Sequence, residues 1–160
     1  MSSVDNLSIT EYYSRVKVNE MNTNEIGNMT ESVILSEFQK NGIAVSIPFG
    51  RNEVYDFVIK TKNGFKSVQV KHGTYKNGCV VADITHKRTY KKTTKDSYKG
   101  LVDYIAIWCS YNNSSYLIDL NAFEANQNAI LRIESPKRNN HISRIKWAKD
   151  YEFFKVIQSL

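Results

Sequence analysis

The dipeptide Asn63-Gly64 is the sequence feature that most restricts how this chain can fold. It separates two runs rich in β-branched and aromatic residues, and Asn-Gly between such runs is typical of a two-residue β-hairpin loop. A type I′ loop here pairs Lys62 with Phe65, and the same register places Asp56 opposite Lys71. Because paired residues share a face of the sheet, we expect the side chains of Asp56 and Lys71 to lie next to each other.

Hydrophobic periodicity predicts a helix before this hairpin and mostly strands after it. The first helix is expected over residues 24–41, and a second one over residues 147–159 with Trp147, Tyr151, Phe154 and Val156 facing inward. Strands are expected over residues 43–48, 54–60, 65–72, 79–84, 102–109, 115–120 and 129–133. These elements predict an α+β fold in which a mixed β-sheet is flanked by α-helices.

The length of the chain indicates how these elements are organised. A chain of 160 residues, 41% of them hydrophobic, fits one compact domain. The predicted helices and strands all fall within residues 23–160, which we expect to form a single domain. Residues 1–22 are mostly polar, and we expect them to form an N-terminal extension, either a short helix or a loose arm.

Several classes of protein are excluded by simple patterns. The sequence has no run of about 18 apolar residues, which excludes a membrane-spanning helix, and its start lacks a secretion signal. Cys79 and Cys109 do not form a paired metal-ligand motif and the histidines are scattered, so a Cys/His zinc site is not expected. Unpaired cysteines without a secretion signal favour a reducing, cytoplasmic location.

Asp56 is unusual because it lies inside the apolar run Val54-Tyr55-Asp56-Phe57-Val58-Ile59. A carboxylate in such a run is expected to be half buried, and a buried carboxylate needs a partner or a metal ion. The other interpretation is an exposed ion pair with Lys71, which would stabilise the fold by less than about 1 kcal/mol.

Glu31 is a second carboxylate in an unusual position. Its neighbours at helical spacing, Ile34, Leu35 and Phe38, place it on the core-facing stripe of the first predicted helix. Glu31 either points toward the sheet, where it would meet Asp56 and Gln69, or lies at the edge of the stripe and reaches water.

Together these side chains suit a hydrolytic magnesium site. Mg²⁺ prefers oxygen ligands, and Asp56, Glu31, the Gln69 amide and the backbone carbonyl of Val70 would supply them. Lys71 would then orient the attacking water or offset negative charge in the transition state. The sequence has neither a Ser or Cys nucleophile with a His base nor a glycine-rich phosphate loop, which disfavours covalent catalysis and ATP use.

The order of these residues resembles the pattern of the PD-(D/E)xK nuclease superfamily. The resemblance rests on Thr30-Glu31, Tyr55-Asp56 and Gln69-Val70-Lys71. More specifically, the chain resembles the group I intron-associated homing endonucleases of that superfamily. This closer likeness rests on residues 46–50 (SIPFG), 98–104 (YKGLVDY), 136–140 (PKRNN) and 145–151 (IKWAKDY), and it extends over roughly residues 24–154.

The resemblance implies a restriction-endonuclease-like core and metal-dependent hydrolysis of DNA phosphodiester bonds. It implies that Asp56 is the metal-binding aspartate, Lys71 the catalytic lysine and Glu31 the acid carried by the helix. Gln69 stands where most of the superfamily has Glu or Asp. Because an amide adds no charge, we expect weaker metal binding, one metal ion rather than two, and greater reliance on Glu31. Mg²⁺ is the implied cofactor, with Mn²⁺ expected to substitute for it, and a homo-oligomer (dimer or tetramer) acting on double-stranded DNA is implied.

Two basic segments are expected to contact that DNA. Residues 60–99 hold eleven basic and two acidic side chains, and residues 132–149 hold six basic and one acidic. In the first segment we expect a long flexible loop along a DNA groove, with contacts from Lys87, Arg88, Tyr90, Lys91, Lys92 and Lys95. In the second, the candidates are Arg138, Arg144 and Lys146, for which an ordinary solvated surface is the other interpretation.

Three functions remain open at this point. The first is a site-specific double-strand endonuclease of the homing or intron-associated type. The second is a structure-specific nuclease resembling a Holliday-junction resolvase. The third is a catalytically inactive DNA-binding module on the same fold, which Gln69 favours and the retained Glu31, Asp56 and Lys71 argue against.

Overall fold

The structure is a computed structural model that describes residues 18, 20–50, 53–90, 92–125, 127–136 and 144–160, with the side chains of residues 87–90 and 92–94 left out. The described helices are α1 (Thr23–Lys40) and α2 (Phe153–Ile157), with a 3₁₀ turn at Ala148–Asp150. The described strands are β1 (Val45–Ser46), β2 (Phe57–Thr61), β3 (Gly64–Lys76), β4 (Cys79–Asp83), β5 (Thr85–Tyr90), β6 (Lys92–Ser97), β7 (Tyr104–Cys109), β8 (Ser114–Asp119) and β9 (Asn128–Arg132). The fold is α+β with a mixed sheet, as predicted. Most of the segment expected to form an N-terminal arm lies outside the described residues.

Seven strands form one sheet around the long strand β3. The order β1-β2-β3-β4-β9 is antiparallel throughout, whereas β7 pairs with β3 in parallel and carries β8 on its far edge. Strand β7 is buried along its whole length, since it lies in the middle of the molecule with hydrophobic side chains on both faces.

Two hydrophobic clusters cover the two faces of this sheet. On one face, Ile34 and Phe38 of α1 pack with Val68, Trp108 and Phe153. The opposite face is filled by side chains of β4, β7, β8 and β9. Helix α1 begins at a capping box in which the Asn22 side chain and Glu25 satisfy each other's backbone N–H groups.

The predicted hairpin between β2 and β3 forms, but its register differs from the prediction. Thr61 pairs with Gly64, so the loop residues are Lys62 and Asn63, and Phe57 lies opposite Val68. A type I′ loop needs positive φ at both of its central residues. Here Gly64 has φ 98°, whereas Asn63 is not among the residues with positive φ. Gly64 is therefore the first residue of β3 and not part of the loop. This moves the pairing by two residues, which leaves every side chain on its expected face.

The basic segment expected to be a flexible loop is instead a two-stranded hairpin. Strands β5 and β6 pair in register from Thr85 and Ser97 to Tyr90 and Lys92, apart from the main sheet. The four threonines and the tyrosine among its residues favour extended backbone, and this explains why strands form where charge alone suggests a loop.

The predicted C-terminal helix is shorter than expected and faces differently. Before α2 begins, the chain runs against β8, where Leu117 N–H donates to the Tyr151 carbonyl at 2.9 Å. This pairing delays the helix, so Phe153 is buried while Phe154, expected to face inward, is 61% exposed. Neither described helix is long and apolar enough to cross a membrane.

Candidate active site

Strand β3 has an open stretch on one edge. It pairs with β2 up to Val68 and with β4 from Thr74, while β7 covers the opposite edge from Val68 to Gly73. The intervening backbone of residues 69–73 therefore has no described strand along the first edge. Unpaired backbone groups at such an edge are available for side chains or ligands.

Asp56 fills part of this open edge. It lies just before β2 rather than inside a strand as predicted, and its own N–H donates to the Val68 carbonyl at 2.9 Å. Its carboxylate Oδ2 accepts hydrogen bonds from the Val70 backbone N–H at 2.7 Å and from Gln69 Nε2 at 2.6 Å. Asp56 thus lies beside Gln69, rather than directly opposite Lys71 as the predicted register required.

Gln69 binds the edge through its amide nitrogen. Besides the bond to Asp56, Nε2 donates to the Val70 carbonyl oxygen at 3.3 Å. The amide therefore links the Asp56 carboxylate and the Val70 carbonyl oxygen, two of the four groups that the sequence proposed as metal ligands. In this arrangement the nitrogen of Gln69, and not its oxygen, faces both of them.

Lys71 lies two residues further along the same face of β3. Its ammonium donates to the hydroxyl of Tyr98 at 3.2 Å and lies 4.8 Å from the centre of that ring. Lys71 also acts on the Asp56 carboxylate through its charge.

Glu31 approaches from α1, on the other side of the open edge. It lines the same cleft as Asp56, a space of about 630 Å³ between the first half of α1 and residues 47–50 and 53–56. Gly27, one turn earlier in α1, also lines the cleft, and a Cβ at that position would meet nothing within 4 Å. The partly buried Glu31 thus faces the sheet, which was one of the two predicted orientations.

The surroundings of Asp56 and Glu31 only partly compensate the negative charges of the two carboxylates. Burial raises the pKa of Asp56 above its ordinary value, although the Val70 N–H, the Lys71 charge and the Gln69 amide all act to lower it. Burial also raises the pKa of Glu31, and the negative charge of Asp56 raises it further. Two carboxylates that repel each other in a half-buried cleft favour the binding of a proton or a cation.

Comparison with known proteins places this geometry in a family. The sequence matches the profile of PD-(D/E)XK endonucleases over residues 21–154. The chain belongs to the PD-(D/E)XK endonuclease family. It is therefore an endonuclease, a phosphodiester hydrolase.

A solved structure supports the fold assignment independently. The bacterial homing endonuclease I-Ssp6803I is similar with a TM-score of 0.68 at 21% sequence identity, over 87% of this chain and 95% of that one. At this identity the likeness establishes the restriction endonuclease-like fold. A comparison with curated protein sequences gave no match.

PD-(D/E)XK nucleases typically use a divalent metal ion, and the residues at the open edge have suitable chemistry for one. Asp56, Glu31, the Val70 carbonyl and the Gln69 amide are all potential oxygen donors, the type that Mg²⁺ prefers. Within the described part of the chain, no three His, Cys, Asp or Glu side chains lie together in a group that could hold a metal ion. A metal ion here would therefore depend on neutral oxygen donors beside its two carboxylates.

The predicted DNA-binding residues that the structure describes lie in two regions. Lys87, Arg88, Tyr90 and Lys92 lie in the β5–β6 hairpin, where only their backbone is described, and Lys95 lies near its base with its ammonium 3.4 Å from Asp83. Arg144 and Lys146 line a cavity of about 360 Å³ together with Arg132. Lys91 and Arg138 lie outside the described residues.

Tyr98 is a site residue to which the sequence assigned no role. Its side chain is 6% exposed and contacts Lys71 from a position 27 residues away in the chain. No periodicity or spacing links the two positions, since the contact arises only when the end of β6 is placed beside β3. Glu53 and Tyr55 also line the cleft, and they were missed although they lie close to Asp56 in the sequence, because no sequence pattern shows which side chains line a cleft.

Proposed function

We propose that this chain is a Mg²⁺-dependent, site-specific endonuclease that cuts both strands of DNA, of the homing or intron-associated type. The observation that carries the proposal is the convergence at the open edge of β3. Asp56 contacts Gln69 and Val70 there, Glu31 shares its cleft, and Lys71 lies on the same face. The fold shared with a structure described as a homing endonuclease supports the more specific part of the proposal.

In the proposed hydrolysis, some site residues bind the metal ion and Lys71 stabilises charge. Asp56, Glu31 and the Val70 carbonyl would hold a Mg²⁺ ion, with Mn²⁺ able to replace it. When bound, such an ion polarises a phosphate oxygen and lowers the pKa of a coordinated water. The ammonium of Lys71 would stabilise the negative charge that develops on the phosphate.

Gln69 would have to change orientation to take part. Its Nε2 now donates to Asp56, and only a half-turn of the amide presents Oε1 to a metal ion. As an amide it contributes no charge, so we infer weak binding of a single ion and a strong dependence on Glu31.

The β5–β6 hairpin would hold the DNA backbone. The register of the hairpin places Lys87 opposite Lys95. Basic residues at paired positions of one hairpin favour a surface that contacts DNA phosphates. Arg144 and Lys146 form the second proposed contact with the backbone.

Cutting both strands of a duplex in one binding event is simplest with two active sites, and the described part of the chain supplies one such convergence of residues. We therefore propose that the active form is a homo-oligomer, a dimer or a tetramer. Two copies related by a two-fold axis would present their sites to antiparallel strands.

A cleavage assay with Mg²⁺ or EDTA tests the proposal. The substrates are the uninterrupted host sequence from the native locus, an unrelated duplex and a four-way junction. Metal-dependent cutting of both strands at one position in the locus duplex is the expected result. Cutting of the junction alone would make the protein a resolvase-like nuclease, and salt-sensitive binding without any cutting would make it an inactive binding module.

A further inference from the structure

We propose that Tyr98 is a positioning residue that holds the ammonium of Lys71 in place for catalysis. The inference rests on the proposed role of Lys71. It assigns a function to a buried tyrosine whose hydroxyl accepts a hydrogen bond from Lys71.

Two contacts from one side chain hold Lys71. The Tyr98 hydroxyl accepts a hydrogen bond from Lys71 Nζ at 3.2 Å, and the ring centre lies 4.8 Å from the same nitrogen. The first contact fixes a direction, and the second is a favourable interaction between a cation and an aromatic face. Within the part of the chain that the structure describes, the hydrogen bond of this ammonium goes to Tyr98 and not to a carboxylate.

Lys71 needs such support because its side chain is long and flexible. An unrestrained ammonium on a four-carbon stem would occupy many positions, most of them unproductive, and ordering it carries an entropic penalty. An ion pair with Asp56 would order it as well, but it would occupy the carboxylate that is proposed to bind the metal ion. Tyr98 orders the ammonium without using that carboxylate.

Tyr98 is itself held rigidly. Its carbonyl accepts hydrogen bonds from the backbone N–H groups of Leu101 at 2.9 Å and Val102 at 3.2 Å, and its own N–H donates to Ile84 at 3.3 Å. The side chain is buried in the hydrophobic cluster that covers the face of the sheet opposite α1. The hydroxyl is therefore a fixed point from which to orient Lys71.

Tyr98 also directly follows the last residue of β6. The ring of His86, in the partner strand β5, lies 5.5 Å from the Tyr98 ring. The base of the proposed DNA-binding hairpin thus contacts the residue that orients Lys71, so DNA held by the hairpin would lie close to the oriented ammonium.

The test compares Tyr98→Phe, which removes the hydroxyl and keeps the ring, with Tyr116→Phe. Tyr116 is buried in the same cluster, and its hydroxyl accepts a hydrogen bond from Asn112 at 2.7 Å, so the control loses a similar bond away from Lys71. The measurements are single-turnover cleavage of the locus duplex in Mg²⁺ and DNA affinity in Ca²⁺. We expect Tyr98→Phe to cleave about tenfold more slowly with unchanged affinity, since one hydrogen bond to a charged group is lost in the reaction. Tyr116→Phe should cleave at the wild-type rate.

A second measurement does not require activity. The ammonium signal of Lys71 in a ¹H–¹⁵N NMR spectrum, assigned by its loss in Lys71→Arg, should exchange more slowly with water than the signals of exposed Lys62 and Lys76. Tyr98→Phe should abolish that protection and Tyr116→Phe should retain it. If Tyr98→Phe does not fold, the wild-type spectrum alone decides, because a Lys71 ammonium that exchanges as fast as the exposed ones overturns the proposal.

Wild-type cleavage by Tyr98→Phe, with Lys71→Met inactive, would also overturn the proposal while leaving the endonuclease function intact. If the wild-type protein cuts no substrate, the proposed function fails, and the NMR measurement still shows whether Tyr98 holds Lys71.

Discussion

At the scale of single residues, Asp56 organises the site more than any other side chain. One of its carboxylate oxygens satisfies the Val70 N–H that the sheet leaves open and also binds the Gln69 amide. Burial raises the pKa of Glu31 on a different element, and the charge of Asp56 raises it further. Asp56 therefore connects β3, the Gln69 amide and Glu31 of α1, and changes at Gln69 or Glu31 are expected to alter its properties.

Gln69→Glu should reduce the stability of the metal-free protein and strengthen metal binding. The substitution replaces a 2.6 Å hydrogen bond with two carboxylates in contact. We expect the free energy of unfolding in EDTA to fall by about 1–3 kcal/mol, the typical loss when a buried acceptor loses its donor. Thermal unfolding in EDTA and calorimetric titration with Mg²⁺ measure the two effects.

Gln127→Glu, at an exposed position, makes the same change of charge away from Asp56. It should leave the free energy of unfolding in EDTA and the affinity for Mg²⁺ close to their wild-type values. Equal metal affinity in Gln69→Glu and wild type would show that position 69 does not contact the ion.

The stability of the metal-free protein should fall as the pH rises through the titration of Glu31. The pKa of Glu31 lies above its ordinary value of 4.5 in the folded state, so the fold binds more protons than the unfolded chain between these two values. The contribution of Glu31 to the free energy of unfolding is therefore fully present below the ordinary pKa, and it is lost as the pH rises through the raised pKa. Glu31→Gln should remove this part of the decline, which thermal unfolding in EDTA across the acidic pH range would detect. Parallel stability curves for the two proteins would contradict the assigned shift.

At the scale of elements, the interrupted pairing of β3 creates the site. The strand changes partner from β2 to β4 along one edge, and α1 crosses the sheet face next to the interruption. Helix α1 thereby brings Glu31 to the cleft, and Gly27 keeps that cleft wide.

Gly27→Ala should stabilise the protein and slow cleavage. Alanine is favoured over glycine inside a helix by about 1 kcal/mol, and the added methyl group meets no atom within 4 Å. The same methyl group narrows the cleft beside Glu31, through which the DNA would reach the site. Thermal unfolding and single-turnover cleavage measure the two effects. A stabilised variant with wild-type cleavage would mean that the DNA enters from the other side of the sheet.

Reversing the charges of Lys91, Lys92 and Lys95 to Glu should weaken DNA binding and flatten its salt dependence. A plot of log affinity against log salt concentration has a negative slope, and each lost phosphate contact makes that slope less steep by about 0.9. Fluorescence anisotropy over a series of salt concentrations gives this slope. The same reversal at the exposed residues Lys40 and Lys155, which lie outside both basic segments, serves as the control. If the two variants lose the same affinity for each reversed charge, the hairpin makes no special contribution.

At the scale of the whole molecule, the fold class and several site residues could be predicted because they depend on local patterns. Helix α1 follows from its apolar spacing, and the hairpin places Asp56 and Gln69 on one face in either register. The register itself depends on the backbone angles of Asn63 and Gly64, which the dipeptide alone does not determine. The contact between Tyr98 and Lys71, the pairing of residue 151 with β8 and the separate β5–β6 hairpin depend on long-range packing, which a single sequence does not reveal.

The most direct test of this account is metal-dependent cleavage of the locus duplex by the wild type, Asp56→Asn and Lys71→Met. The asparagine keeps an acceptor for the Val70 N–H, so Asp56→Asn should fold. Asp150→Asn, in an exposed ion pair with Lys155, is the matched control. We predict that the wild type and the control cut in Mg²⁺ and not in EDTA, and that both site variants bind DNA without cutting it. Cleavage by Asp56→Asn and Lys71→Met at the wild-type rate would show that the reaction takes place somewhere other than the open edge of β3.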